Sequence, residues 1–200
     1  MNNKITKSTG MLPSRLEALG DGIFAFAMTL LVLSINLPEG GKNADIGAYL
    51  LNQLPNFLNF VLSFLILAFI WLNLNQEFHH IKRTNYGLIL LNIAMLLFVV
   101  LLPFSTSLLN DFPDAFAAEM FFNINMLLLA CLLSSNWWYA RKHNLIETMG
   151  DDEHLAMVSR KQYVFPAISL LAVALTFFTP GWSSLSYILI PILMYLPSKR

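Results

Sequence analysis

The groups able to do chemistry are few, and they stand far apart. Asp21 and Glu119 are carboxylates in apolar surroundings, Asp21 at the inner edge of the first apolar segment and Glu119 in the outer part of the fourth. Ionisable groups in hydrocarbon are costly and face protein or water, so each is a candidate to hold an ion or a proton. Asp21 has a second reading, because a carboxylate at a helix N-terminus caps backbone N–H groups and meets the favourable end of the dipole. Both readings stand at this point. A series of amides, Asn59, Asn73, Asn75, Asn92, Asn123, Asn125 and Asn136, suits hydrogen bonds between helices, with contact to a pore or to water as the alternative.

Other chemistries lack their residues. His79, His80, His143 and His154 fall in the expected cytoplasmic connections, and none has the i,i+4 partner of a helical HExxH metal site. Cys131 stands alone in an apolar run, which rules out an intramolecular disulfide and a thiolate zinc cluster within one chain, and it is expected to be a buried small hydrophobe. There is no GxSxG elbow, no Gly-rich phosphate loop and no paired intramembrane carboxylates, and the scattered serines lack a recognisable base. Neither an enzyme nor a cofactor is expected.

The elements that carry these groups are membrane helices. At 56% hydrophobic and 12% charged, the 200-residue chain is too apolar for an ordinary soluble domain, in which about 25% of residues are charged. Zero net charge argues against a nucleic-acid partner. The alternating segments of about ten residues that mark an outer-membrane barrel are absent. Six apolar segments make one all-α transmembrane domain over 1–200, with helices expected at about 21–37, 55–76, 86–109, 115–140, 163–178 and 182–196. The last two are short. The first is longer than a signal h-region and lacks a small-residue cleavage site, so it is expected to be retained.

Charge sets the orientation. With the N-terminus inside, Lys4, Lys7, Arg15, Lys82, Arg83, Arg141, Lys142, Arg160, Lys161, Lys199 and Arg200 all lie on the cytoplasmic side, and only Lys42 of the 12 basic residues lies outside. An odd number of helices would scramble that asymmetry, so N-in/C-in with six helices is expected. Trp137, Trp138 and Tyr139 have the composition of an interfacial aromatic belt. The outer connection 38–54 opens with turn residues and becomes amphipathic, and the inner connection 141–162 gathers Glu147, Asp151, Asp152 and Glu153.

On the first helix, Phe26, Leu30 and Leu33 fall along one stripe, with Ile23 one step below and Leu37 one step above. Such a stripe packs against helices or lipid, or it forms a hydrophobic constriction that gates a pore by dewetting.

The stretch RLEALGDGIFAFAMTLLVL resembles the first-helix signature of the transmembrane protein 175 family of potassium channels, an Arg followed after three residues by Phe-Ser-Asp and then a Gly-rich start and an apolar run. LLNIAMLLFVVLLPFSTSLL, with Asn92 and Pro103-Phe104-Ser105-Thr106, is similar to the third-helix pattern of prokaryotic members, and Trp71 sits where the second helix of the family commonly carries tryptophan. The likeness is strong over helices one to three. It implies a homotetramer in the cell membrane, conducting potassium through a central pore lined by the first helices. It places the constriction at Phe26, Leu30 and Leu33, the polar pore position at Thr29, and the network fixing the inner end of that helix at Arg15, Asp21, Trp71 and Asn75. Three positions depart from the pattern: Leu19 and Gly20 replace Phe and Ser, Phe26 stands where Ile or Leu is usual, and Asn75 occupies a region where relatives often carry histidine. Two alternative functions are a secondary transporter using Asp21 or Glu119, and a non-conducting membrane scaffold.

Overall fold

The structure, a computed structural model, describes residues 11–35, 45–146, 162–178, 183–190 and 193, all helical or in connections. Helix α1 runs Pro13–Leu30 and tightens into a 3-10 turn over Leu31–Ser34. A short helix α2, Ile46–Asn52, leads into α3, Leu54–His80. Then come α4, Tyr86–Asp111, α5, Phe116–Lys142, α6, Val164–Thr176, and a second 3-10 stretch over Ser183–Ile188.

Four of these helical stretches, Pro13–Ser34, Leu54–His80, Tyr86–Asp111 and Phe116–Lys142, are long and apolar enough to cross a membrane. The expected fifth span appears as the 13-residue α6, and at about 1.5 Å per residue it is shorter than the hydrocarbon core. Of the expected sixth, 182–196, the described part opens as a 3-10 stretch, and most of the remainder lies outside the described residues. The acidic residues of the inner connection, together with His154, also lie outside them.

Local chemistry explains the helix starts. Pro13 opens α1, where a missing amide donor costs nothing because the first turn has no acceptor for it. The helix therefore begins about two turns before the expected boundary. Asp21 is an interior residue of α1, so its N-terminal capping role is withdrawn. Asp45 caps α2 by accepting from the Gly47 and Ala48 amides, and Asn85 caps α4 by accepting from Leu88 at 2.9 Å. Helix α3 continues one turn past the expected end at Gln76, which makes His79 and His80 helical residues rather than connection residues. Arg141 and Lys142 close α5, where cations favour the negative end of the dipole.

Helix α4 is central in the packing. It lies against α5 along most of its length and also contacts α1 and α3, while α5 carries α6 and α6 carries the second 3-10 stretch. The seam between α4 and α5 narrows at the start of α4, where a Cβ on Gly87 would collide with the Tyr139 hydroxyl, and Asn85 Nδ2 donates to that hydroxyl at 3.2 Å. Leu67, Met95, Val99, Leu102, Met126, Leu129 and Ala130 form the fully buried centre. The connection after α3 and the segment after α5 meet in an antiparallel bridge between Ile81 and Ile146, the Lys82 amide donating to the Leu145 carbonyl at 3.0 Å. Two expected surroundings are corrected. Cys131 is exposed on the outside of the helix group, and Trp137 is buried, leaving Trp138, under Lys142 at 4.5 Å, as the exposed ring of that pair.

Replacing Leu67 by Ala is expected to cost about 2–5 kcal/mol, the usual range for a large-to-small core change. Leu97, which is 65% exposed, is the control, and its change to Ala should stay within about 0.5 kcal/mol. Reversible unfolding in mixed micelles checks both, and equal effects at the two positions would contradict the core assignment.

Candidate functional site

Helix α1 has two faces with opposite surroundings. Leu16, Gly20, Phe24, Ala27, Leu31 and Ser34 are buried against α3 and α4. Arg15, Leu19, Gly22, Phe26, Thr29 and Leu33 are exposed, and their spacing of alternately four and three residues is that of a straight seam along a helix. Phe26 is 67% exposed and Leu33 71%, values that a protein-packed stripe would not show. A Cβ on Gly22 would meet nothing within 4 Å, so the open face continues through that position.

Within this stripe Thr29 lies between Phe26 and Leu33, and its hydroxyl donates to the Phe26 carbonyl at 2.8 Å. That bond takes the one hydroxyl proton and leaves the oxygen's lone pairs toward the open side. Leu30, expected on the same stripe, is half-buried on its flank. The reason is the buried pair Ala27 and Leu31, which turns the inward face of α1 toward the side where Leu30 projects.

The N-terminal half of α1 is tied to α3. Trp71 Nε1 donates to Asp21 Oδ1 at 2.8 Å, and Asn75 Nδ2 donates to the Trp71 carbonyl one turn back at 3.2 Å. A hydrogen bond to a charged acceptor is stronger than one between neutral groups. Gly20 faces α3, where a Cβ would make an ordinary van der Waals contact with the Leu74 side chain at 3.7 Å. The structure thus brings Asp21, Trp71 and Asn75 together. Arg15 stands apart on the exposed stripe, and among the described residues it makes no hydrogen bond to them.

Glu119 belongs to a different place. Its Oε1 accepts from the Ser183 amide at 3.0 Å and hydroxyl at 2.6 Å, Asn123 donates to Thr176 and Ser183, and Tyr187 donates to Asn123 Oδ1 at 3.0 Å. This buried cluster pins the last 3-10 stretch to α5 and α6, away from α1. Three residues of consequence lay outside the sequence reading. Glu77 is buried in the added turn of α3 and accepts from Gln162 Nε2 at 2.6 Å; ending the helix at Gln76 hid it. Ser34 and Asn110 meet at the outer end of α1, where Asn110 Nδ2 donates to the Ser34 carbonyl at 2.9 Å. Thr106 and Asn110, one turn apart on α4, were the available signal for an inward polar edge. No group of three or more potential metal ligands occurs among the described residues.

Long apolar helices in one chain define a multi-pass integral membrane protein, and α1 gives it one helix with an open, mostly apolar face. The family described as endosomal/lysosomal potassium channel TMEM175 matches residues 15–103. A potassium channel of Chamaesiphon minutus is 32% identical over 169 residues, covering 82% of this chain and 83% of that protein. A potassium channel of Streptomyces collinus is 27% identical over 168 residues, with 82% of each covered. The crystal structure of a lysosomal potassium-selective channel TMEM175 homolog from Chamaesiphon minutus superposes with a TM-score of 0.80 at 27% identity, covering 92% of this chain and 98% of that one. The chain belongs to the TMEM175 family.

Trp71 and Asp21 should couple energetically. In a double-mutant cycle of Trp71→Phe and Asp21→Ala, the interaction term is expected at about 0.5–3 kcal/mol. Asp21→Asn, which keeps an acceptor oxygen, should lose less than Asp21→Ala. Additive single effects in unfolding measurements would show that the bond does not hold α1.

Proposed function

We propose that this chain is a potassium-selective channel, in which four copies place their first helices around a shared axis and ions cross passively between them. The observation that carries this is the exposed stripe Arg15, Leu19, Gly22, Phe26, Thr29 and Leu33, opposite the face of the helix that packs against α3 and α4. A side chain as apolar as Phe26 gains nothing from lipid over another copy, but a seam of alternating three- and four-residue steps is what helices use to face one another. The relatives named as potassium channels support the choice of ion. Potassium is then the permeant species, not a cofactor, and the chain's partners are its own copies and the bilayer. The distribution of basic residues supports six spans with both termini inside.

In this arrangement Phe26 and Leu33 give two apolar rings, Leu30 backs them from the flank, and Thr29 contributes a ring of hydroxyl oxygens between them. A narrow apolar ring blocks ions when it dewets and passes them when it is wetted. Asp21, Trp71 and Asn75 hold the inner end of each pore helix against its own subunit, so the rings keep their registration. A transporter reading is less well supported: Asp21 is engaged by Trp71, and Glu119 is enclosed with Ser183, away from the open stripe.

Phe26→Ala is expected to raise potassium flux or weaken the preference for potassium over sodium, a tenfold change corresponding to about 1.4 kcal/mol in the barrier. Flux from potassium-loaded liposomes into sodium buffer measures it. Wild-type rate and preference in the variant would remove Phe26 from the constriction.

A further inference from the structure

Helix α1 does not end as it begins. Over Leu31–Ser34 it winds as a 3-10 helix, so each residue turns about 120° rather than about 100° and the direction of Leu33 depends on how that last turn is held. The final carbonyls of a helix have no donor within it. Two are served locally, the Ile35 amide donating to Val32 at 3.2 Å and the Ser34 hydroxyl to Leu31 at 2.7 Å. The Ser34 carbonyl is served from another helix, by Asn110 Nδ2 at 2.9 Å, with the Ser34 hydroxyl oxygen at 3.3 Å from the same nitrogen.

Asn110 is itself fixed. Its Oδ1 accepts from Asn59 Nδ2 on α3 at 3.0 Å, so both ends of one amide are used and its orientation is determined. Ser34 is 1% exposed and Asn110 7%, which leaves no room for solvent to replace the bond. The neighbouring residue Leu33 points the other way, into the open stripe. Other buried amides do not reach α1: Asn123 bonds Thr176 and Ser183, and Asn125 lies near Phe98 and Ser105.

We infer that Asn110, oriented by Asn59, is a positioning residue that caps the pore helix from outside it and sets the projection of Leu33 at the outer constriction. This rests on the reading of α1 as the pore helix. The cap holds the C-terminal end of the helix and the Asp21–Trp71 bond its middle, so of these two contacts from neighbouring helices the cap is the one that acts on the 3-10 turn. An aspartate at position 110 would keep the acceptor for Asn59 and lose the donor to Ser34, and an alanine would lose both. Ser34→Ala removes the hydroxyl but leaves the carbonyl that Asn110 caps.

The test uses full-length protein in liposomes with two readouts: the reversal potential between potassium and sodium, and the spread of distances between spin labels on Leu33→Cys in a Cys131→Ser background. Asn110→Ala and Asn110→Asp are expected to broaden the label distances and change the permeability ratio at least about twofold. Asn123→Ala, which breaks a polar cluster remote from α1, controls for general loosening and should leave both readouts unchanged. Should Asn110→Ala fail to assemble, the near-isosteric Asn110→Asp carries the same prediction. Wild-type behaviour of the Asn110 variants, or an equal response in Asn123→Ala, overturns the assignment. If Phe26→Ala and Leu33→Ala conduct as wild type, the pore reading itself falls, and the positioning role with it.

Discussion

Everything in this molecule that bears on transport depends on how one helix divides its circumference. The inward face of α1 is built from side chains of uneven size, Leu16, Gly20, Phe24, Ala27 and Leu31, which fit against α3 and α4 and are removed from any other contact. Burying that face commits the opposite one, because a rigid helix cannot turn one stripe inward without presenting the other. Phe26 and Leu33 are therefore exposed as a consequence of where Phe24 and Leu31 are packed. In a bilayer there is little hydrophobic drive for two apolar helices to meet, so the fit of the packed face and a few hydrogen bonds must supply the orientation.

Those hydrogen bonds are placed at two levels of α1. Trp71 holds Asp21 about two turns in from its start, and Asn110 holds Ser34 at its C-terminal end. Between them the buried face contains no polar side chain, and the middle of the helix is oriented by packing alone. The remaining buried polar groups serve other joints. The Glu119 cluster fastens the last 3-10 stretch to α5 and α6, and Glu77 with Gln162 fastens the start of α6 to the inner end of α3. Glu77 and Glu119 thus act as fasteners between segments of the chain.

The four long apolar helices and their order were legible because hydropathy over about 20 residues is a strong signal. The Trp71–Asp21 pairing was legible only through a resemblance, since nothing in spacing says that residues 50 apart meet. Boundaries were less so. Helix α1 starts at Pro13 rather than about Asp21, because charged side chains such as Arg15 and Glu17 reach water at the membrane edge while their backbone stays helical. The same effect hid the last turn of α3, with Glu77 and the histidines. The stripe was read with Leu30 at its centre and Thr29 beside it, and packing rotated the helix slightly the other way. Asn110 was passed over because it stands next to Asp111 at a helix end, where an amide looks like a turn residue; only the tertiary contact with Ser34 distinguishes it.

The most direct measurement is a cysteine scan of α1 in the Cys131→Ser background, recording inhibition of potassium flux by a water-soluble, cationic thiol reagent. Cysteines at Gly22, Phe26, Thr29 and Leu33 should be modified and blocked, while those at Phe24, Ala27 and Leu31 should be spared, giving a helical period with its maximum on the exposed stripe. Block without that period, or strongest at the buried positions, would contradict a pore lined by this face of α1.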